Sequence, residues 1–150
     1  MKTIDEIAVQ IKIIEYNSVE YSKELTLRDD VLRKPLGMNL FDEDLSTEIY
    51  DFHLGAFSNS SLTGVLILTK LNFRELKMRQ VAVDYNHQSL KIGSRLVFFA
   101  EKYAAENGFT SIVLNARKTA VEFYEKLGYE KISDEFLEIN IPHYKMRKYI

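Results

Sequence analysis

The sequence contains no cysteine, which excludes disulfide bonds, thiolate metal sites and a cysteine nucleophile. An excess of basic residues is also missing, because 20 lysines and arginines face 22 acidic residues and the net charge is −2. A nucleic-acid-binding domain usually carries a clearly basic footprint, so we expect no nucleic-acid partner. No stretch approaches the roughly 18 consecutive apolar residues of a membrane span, so we expect no membrane partner either.

Metal-ligand spacing and linkers are absent as well. His53, His87 and His143 are far apart and show no H-x-x-x-H spacing, so we interpret them as structural and predict no metal. No proline- or serine-rich linker divides the 150 residues, which predicts a single domain over residues 1–150. The opening MKTIDEIAVQ places acidic residues where a signal peptide needs an apolar run, and we expect a cytoplasmic protein.

What is present is an ordinary globular composition, with 46% hydrophobic and 28% charged residues. In the first half, alternation over residues 7–13 predicts a strand. Asn17 and Glu20 form a capping pair that predicts a helix carrying Leu25 and Leu32 toward the core and ending before Pro35. A loop or short helix is expected over residues 38–50, and strands are expected over residues 51–57, 62–71 and 76–84.

In the second half the apolar period becomes helical from Ile92, and Asn107-Gly108 ends this helix. Thr119 with Glu122 fits a capping box for a second helix, which Gly128 closes. Further strands are expected over residues 111–114, 136–141 and 143–149. The order β-α-(α)-β-β-β-α-β-α-β-β predicts a mixed α/β (α+β) fold with a mostly antiparallel sheet flanked by helices.

A strand, a polar loop and a helix follow each other in VAVDYNHQSLKIGSRL, residues 81–96. The first turn of a helix leaves backbone N–H groups without intrahelical partners, and these bind anions well. Glycine at position 93 would let a ligand approach the backbone closely. The loop is therefore a candidate pyrophosphate site, although turns of this kind often only connect two elements.

A second motif changes the interpretation of this loop. NARKTAVEFYEKLGY, residues 115–129, follows about 30 residues after the strand reading VAVD. Together with Gln88-Ser89-Leu90-Lys91-Ile92-Gly93, it resembles the two central motifs of the GNAT superfamily of N-acetyltransferases, with Lys91 at the position of a motif glycine. LRDDVLRKPLGM at 27–38 and IPHYKM at 141–146 are also similar to small bacterial members. The resemblance implies the GNAT fold with its strand–loop–helix acetyl-CoA site, and no bound metal.

The resemblance also implies a set of cofactor-binding residues. Backbone amides of the loop and first helical turn would bind the pyrophosphate of acetyl-CoA, and the strand before the loop would bind the pantetheine and acetyl groups through its backbone. Lys91 either crowds the phosphates, adds a positive charge to them or is a solvated surface lysine. The residues implied are Gln88, Ser89, Lys91, Ile92, Gly93, Ser94, Val81, Ala82, Val83, Asn115, Phe123 and Tyr124.

Tyr124 matches the family's general-acid tyrosine. A free tyrosine has a pKa of about 10 and a thiol about 8.5, so hydrogen bonding to the leaving thiolate would be the larger part of its role. The alternative is an aromatic residue packed on its helix. Asn115 either contacts the cofactor or is a turn or cap residue.

Glu138 stands in the otherwise apolar segment FLEINI, which makes it our first candidate for the catalytic base or a substrate anchor. Glu48 and Asp51 follow, and a water chain is the alternative. Arg28, Arg33 and Lys34 form a basic cluster near a helix C-terminus, which we interpret as complementing the helix dipole.

The resulting hypothesis is a cytoplasmic acyltransferase that transfers the acetyl group of acetyl-CoA to a primary amine of a small molecule or peptide. A CoA-binding or regulatory module without catalysis is the alternative, which Lys91 keeps open. Acyl transfer from a longer donor is a third possibility. A homodimer through the C-terminal strands is possible, although nothing in the sequence requires it.

Overall fold

A computed structural model describes residues 9–150, with only the backbone of residues 88–90. The chain folds into two compact units. The first holds residues 9–69 and Gln80–Ala100, and the second holds Lys70–Arg79 and Glu101–Ile150. No helix in the described part of the chain is long and apolar enough to cross a membrane. The expectation of a single domain stays a prediction.

The first unit contains an antiparallel meander with one long helix. Strand β1 pairs antiparallel with β2, and β2 with β3. Short 3₁₀ turns connect the helix to β2, as expected for residues 38–50. The elements are β1 (Val9–Ile14), α1 (Val19–Leu32), the 3₁₀ turns Lys34–Leu36, Leu40–Asp42 and Ser46–Tyr50, β2 (Phe52–Ser58), β3 (Ser61–Lys70), the end of β4 (Glu75–Val83), the 3₁₀ turn Tyr85–Leu90 and the start of α2 (Ile92–Glu106).

Helix α1 begins one residue later than the capping pair predicted. Ser18 is the N-cap, and its hydroxyl accepts from the Tyr21 amide at 3.1 Å. Asn17 instead has a φ of 63° in the turn before the helix. Leu25 and Leu32 pack, as expected, against a core cluster of this unit. The cluster consists of Ile14, Tyr21, Leu27, Phe57, Val65 and Ala82.

The second unit is a mixed sheet with the end of α2 and one short helix. Strand β4 pairs parallel with β5, while β5, β6 and β7 each pair antiparallel with β8. Buried residues of β5 and β8 include Ile112, Leu114 and Met146. The remaining elements are β5 (Ser111–Arg117), the 3₁₀ turn Lys118–Ala120, α3 (Val121–Lys126), β6 (Glu130–Lys131), β7 (Phe136–Glu138) and β8 (Ile141–Tyr149).

Two details of this unit differ from the sequence interpretation. The capping box at Thr119 is not formed, because a 3₁₀ turn precedes α3 and the N-cap residue Ala120 makes no side-chain bond. The predicted strand 136–141 is interrupted at Ile139 and Asn140, whose φ values are 52° and 58°. These two residues form the turn of the β7–β8 hairpin, in which Glu138 pairs with Ile141.

The expected fold class is confirmed. The chain is mixed α/β, and of the strand pairings within the two units only β4–β5 is parallel. Of the predicted first strand, residues 7 and 8 lie outside the described part of the chain. The closing glycines are also as expected, since Gly108 and Gly128 have φ values of 86° and 97° after α2 and α3, where glycine is favoured.

Candidate functional site

The N-terminus of α2 is held by close packing on β3. A Cβ atom built on Gly64 would lie 2.7 Å from Ile92 Cγ2 and 2.9 Å from Leu96 Cδ1, so a larger residue would force these side chains to shift. The first intrahelical bond runs from the Arg95 amide to the Lys91 carbonyl at 3.1 Å. The amides of residues 92–94 precede it and have no acceptor inside the helix. A helix N-terminus is in general favourable for an anion.

Lys91 occupies the position that the family's pattern gives to glycine. Its φ of 57° and ψ of 29° lie in the left-handed region, which costs a non-glycine residue about 1–2 kcal/mol. The chain therefore adopts the turn that glycine favours in spite of the lysine. The Lys91 side chain is exposed.

Like Lys91, one residue of strand β4 is left-handed, and it lies just before Val81, Ala82 and Val83. Gln80 has a φ of 55°, and its side-chain oxygen accepts from Arg33 Nη2 at 3.3 Å. Arg33 is itself held by two hydrogen bonds to the Glu43 carboxylate, at 2.7 and 3.2 Å. The end of α1 thus fixes the irregular point of the strand that the resemblance assigns to the acetyl group.

A network of charged residues lies buried under α1. The Arg28 guanidinium donates to both Glu48 oxygens at 2.8 and 2.7 Å and to Glu24 at 2.9 Å. Tyr21 donates its hydroxyl to Glu48 at 2.7 Å. Arg28 is 1% exposed and Glu24 is fully buried. Bidentate, charge-assisted bonds of this kind are strong and geometrically specific.

His53 completes this network and has an acceptor at each ring nitrogen. Its Nδ1 lies 2.9 Å from a Glu24 carboxylate oxygen, and its Nε2 lies 2.8 Å from the Glu48 carbonyl oxygen. Two acceptors favour the protonated ring, in which both nitrogens donate. Burial disfavours the charged ring, but the hydrogen bond and the charge of Glu24 outweigh burial and raise the pKa of His53 above 6.5. When the ring is protonated, the negative charges of Glu24 and Glu48 are balanced by the positive charges of Arg28 and His53.

Ligand atoms of Glu24, Glu48 and His53 lie within 4.8 Å of one another, a spacing that could hold a metal ion. The Arg28 guanidinium already bonds to both carboxylates. A divalent cation at this place would be repelled by the positive charge of the guanidinium. The same bonds, with that of Tyr21, lower the pKa of Glu48 although burial alone would raise it. Glu48 is thereby committed to its partners and is unsuited to act as a base.

The helix-dipole interpretation of the basic cluster stays a prediction, and Arg33, the C-cap residue, donates to the Leu32 carbonyl at 3.4 Å. The last turn of α1 contains no basic residue, and each of the three cations has a specific acidic partner. Arg28 binds Glu24 and Glu48, Arg33 binds Glu43, and Lys34 binds Asp30 at 2.7 Å. The acidic segment 38–50 supplies two of these partners, which spacing along the helix alone does not reveal.

In the second unit, Tyr124 lies on α3 and is buried. Its ring contacts Phe123 at 5.0 Å and Tyr129 at 5.8 Å between centroids, both edge to face. Burial raises the pKa of Tyr124 to about 12. Proton transfer from this hydroxyl to a thiolate, whose conjugate acid has a pKa of about 8.5, would be uphill by roughly 5 kcal/mol. The hydroxyl is suited to donate a hydrogen bond rather than its proton.

Two of the predicted site residues of this unit are in direct contact. Asn115 Nδ2 donates to Glu138 Oε1 at 3.2 Å, and His143 Nε2 lies 3.3 Å from Glu138 Oε2. His143 Nδ1 donates to the Ile141 carbonyl at 2.7 Å, and its ring stacks on Phe136. The Glu138 side chain is 45% exposed, so a fixed carboxylate faces solvent.

A cavity of about 340 Å³ opens beside this cluster. Its lining comes from β4, β5, β7 and β8 and from the residue after β3, and consists of Leu71, Lys77, Val113, Asn115, Phe136 and Lys145. The lysines and Phe136 were not predicted. Alternation offered a signal, because His143, Lys145 and Arg147 follow every second residue along β8 and so share one face. The partners of that face come from distant segments, which alternation does not reveal.

Comparison with known proteins indicates the same family that the sequence motifs resemble. Residues 20–150 match a family described as the acetyltransferase (GNAT) domain. An uncharacterized N-acetyltransferase of Bacillus subtilis, YjcF, is 40% identical over 73 residues, which are 48% of this chain and 52% of that protein. The chain thus spans about half the length of the curated relatives it matches.

Solved structures show the same fold at low sequence identity. Escherichia coli ElaA superimposes with a TM-score of 0.79 at 18% identity, covering 94% of this chain and 99% of that one. An aminoglycoside 6'-N-acetyltransferase complexed with coenzyme A has a TM-score of 0.77 at 20% identity, covering 93% and 96%.

Proposed function

Because the chain belongs to the acetyltransferase (GNAT) domain family, we propose that it transfers the acetyl group of acetyl-CoA to a primary amine. The amine attacks the thioester carbonyl directly in a ternary complex, and the CoA thiolate leaves. One observation carries the proposal besides the family. The first turn of α2 follows a left-handed residue at the motif position and offers the amides of residues 92–94 to an anion.

Each group then has one task. The amides after Lys91, with those of Gln88 and Ser89, bind the pyrophosphate, and the exposed ammonium of Lys91 adds a positive charge. A backbone N–H of Val81, Ala82 or Val83 stabilises the oxyanion that forms when the amine attacks. Phe123 and Asn115 contact the donor.

Tyr124 and Glu138 serve the two proton-dependent steps. As the carbon–sulfur bond breaks, Tyr124 donates a hydrogen bond to the thiolate, a role that its burial and raised pKa support. Glu138 takes the proton that the attacking amine loses, because its carboxylate is held by Asn115, lies 3.3 Å from His143 Nε2 and still faces solvent.

Binding is tested first, by thermal denaturation with and without acetyl-CoA. A ligand at 100 times its dissociation constant stabilises the folded chain by about 2.7 kcal/mol. Gly93→Glu, which places a carboxylate at the helix N-terminus, should remove the shift. Absence of a shift for the unchanged chain at millimolar acetyl-CoA would rule out the proposal.

Catalysis is tested by thiol release over a panel of amines. We expect Tyr124→Phe and Glu138→Gln each to lower kcat by about 100-fold, the lower range for positioned proton-transfer groups. The matched control is Glu135→Gln, because Glu135 is an exposed acid of the same unit that pairs with Lys118. Rates equal to those of the control would remove the catalytic role of the residue concerned.

A further inference from the structure

The cavity of the second unit combines an apolar surface with two cations. Leu71, Val113 and Phe136 supply the apolar part, and Lys77 and Lys145 supply the ammonium groups. A volume of about 340 Å³ is in the range of small-molecule sites, which are mostly apolar with a few placed polar groups. The lining therefore suits a small organic ligand.

The two lysines differ from Arg147, which follows Lys145 by two residues on β8. Arg147 is neutralised by Glu75, which it binds through Nε at 2.8 Å and Nη2 at 3.3 Å. Within residues 9–150, by contrast, no carboxylate lies at ion-pair distance from the ammonium of Lys77 or Lys145. Glu75 interacts electrostatically with Lys145 without forming an ion pair with it, and two like charges on one concave surface raise the positive potential there, which concentrates anions.

Asn115 connects this cavity to the carboxylate that we assign as the base. It lines the cavity and donates a hydrogen bond to Glu138 at 3.2 Å. An amine held at Glu138 would thus have the rest of its molecule directed along Asn115 toward the lysines. The same ligand can satisfy the carboxylate at one end and the ammonium groups at the other.

We propose that this cavity binds the acetyl acceptor, and that the acceptor is an amine carrying an anionic group, a carboxylate or a phosphate, on a small apolar body. This inference rests on the proposed acetyl transfer. The anionic group binds between Lys77 and Lys145, the apolar body lies on Val113 and Phe136, and the amine faces Glu138.

Matched acceptors test the inference. Leucine is compared with leucinamide, and phosphoethanolamine with ethanolamine, to separate carboxylate from phosphate. The measured quantity is the ratio of kcat/KM for the anionic member to that for the neutral one. In Lys77→Met/Lys145→Met we expect this ratio to fall at least about tenfold for the preferred anion, mainly through KM, because charge-assisted bonds of about 1.5 kcal/mol or more are lost.

Comparing ratios between variants cancels the different basicity of the amines. Lys102→Met is the control, since Lys102 is an exposed lysine on α2 that does not line the cavity, and its ratio should equal that of the unchanged chain. If transfer proceeds but the double variant keeps the full ratio for both pairs, the inference is overturned and the proposed function stands.

A binding measurement identifies the opposite outcome, in which the cavity binds the anionic amine but no acetyl transfer occurs. Isothermal titration calorimetry of the same four amines, with the protein alone and with CoA, needs no turnover. Tighter binding of an anionic member that is lost in the double variant supports the cavity assignment even if no amine is acetylated, in which case the acetyl-transfer proposal falls. Equal binding of anionic and neutral members overturns the inference.

Discussion

Glu48 of the first unit and Glu138 of the second are both carboxylates in contact with a histidine-containing cluster, yet their surroundings are opposite. Glu48 is nearly fully buried and receives hydrogen bonds from Arg28 and Tyr21. Glu138 is 45% exposed, accepts a hydrogen bond from Asn115 at 3.2 Å and has His143 Nε2 at 3.3 Å. The difference separates a carboxylate that holds the fold together from one that remains free to accept a proton.

The largest expected effect is on stability, through the isosteric changes Glu48→Gln and Glu138→Gln. Removing one partner of a buried ion pair leaves the other charge uncompensated, at about 3–5 kcal/mol. We expect Glu48→Gln to lose at least about 3 kcal/mol in urea unfolding, and Glu138→Gln to stay within about 0.5 kcal/mol of the unchanged chain. Similar losses for the two changes would contradict the comparison.

A second prediction concerns the pH dependence of the buried cluster. His53 has a folded pKa raised above 6.5 by Glu24 against the effect of burial. Its contribution is therefore complete below pH 6.5 and is lost as pH rises through the folded pKa. Each pH unit that separates the folded from the unfolded pKa corresponds to about 1.4 kcal/mol. We expect the free energy of unfolding to fall as pH rises above about 6.5, as measured by urea denaturation.

His53→Gln should remove this decline, because the titrating ring is gone. His143→Gln provides the matched control in the second unit, and it should retain the decline because His53 is still present. A decline that persists in His53→Gln would show that another group causes it. Glu48 affects stability at low pH. Because its pKa is lowered in the folded chain, its contribution to the free energy of unfolding is lost as pH falls below about 4.5.

Most of the fold follows from local patterns in the sequence. The apolar run within residues 62–71 and the helical period from Ile92 indicate buried elements, and both elements are formed. The buried network did not follow, because Glu24 and Arg28 are adjacent on α1 but Glu48 and His53 come from segments 20 to 29 residues away. Periodicity shows which face is buried, not which distant polar group meets it.

The site residues also divide into those that the sequence predicted and those that only the folded structure reveals. Asn115 and Glu138 were selected separately, one by the resemblance and one as an acid among apolar residues, and the structure places them in contact. Lys77 and Lys145 were missed, because lysines on strands are ordinary in a sequence and only the folded sheet brings these two to one cavity.

The smallest expected effect concerns backbone strain beside Glu138. Ile139 is a β-branched residue with a φ of 52°. This left-handed conformation costs an L-residue about 1–2 kcal/mol of conformational free energy. A two-residue hairpin loop with two positive φ values favours asparagine at its first position. Ile139 is more than half exposed, so Ile139→Asn gives up little burial and should stabilise the chain by about 1 kcal/mol in urea unfolding. Ile139→Val, equally branched, should give no gain.

The same pair of variants decides whether the strain serves the carboxylate. Strain persists where the surrounding structure holds it in place, and it is concentrated at functional sites. If the turn positions Glu138, Ile139→Asn should lower kcat while it raises stability, and Ile139→Val should change neither. A stabilised variant with unchanged kcat would mean that the strained turn is local to the hairpin. The contrast with Glu48 would then rest on burial alone.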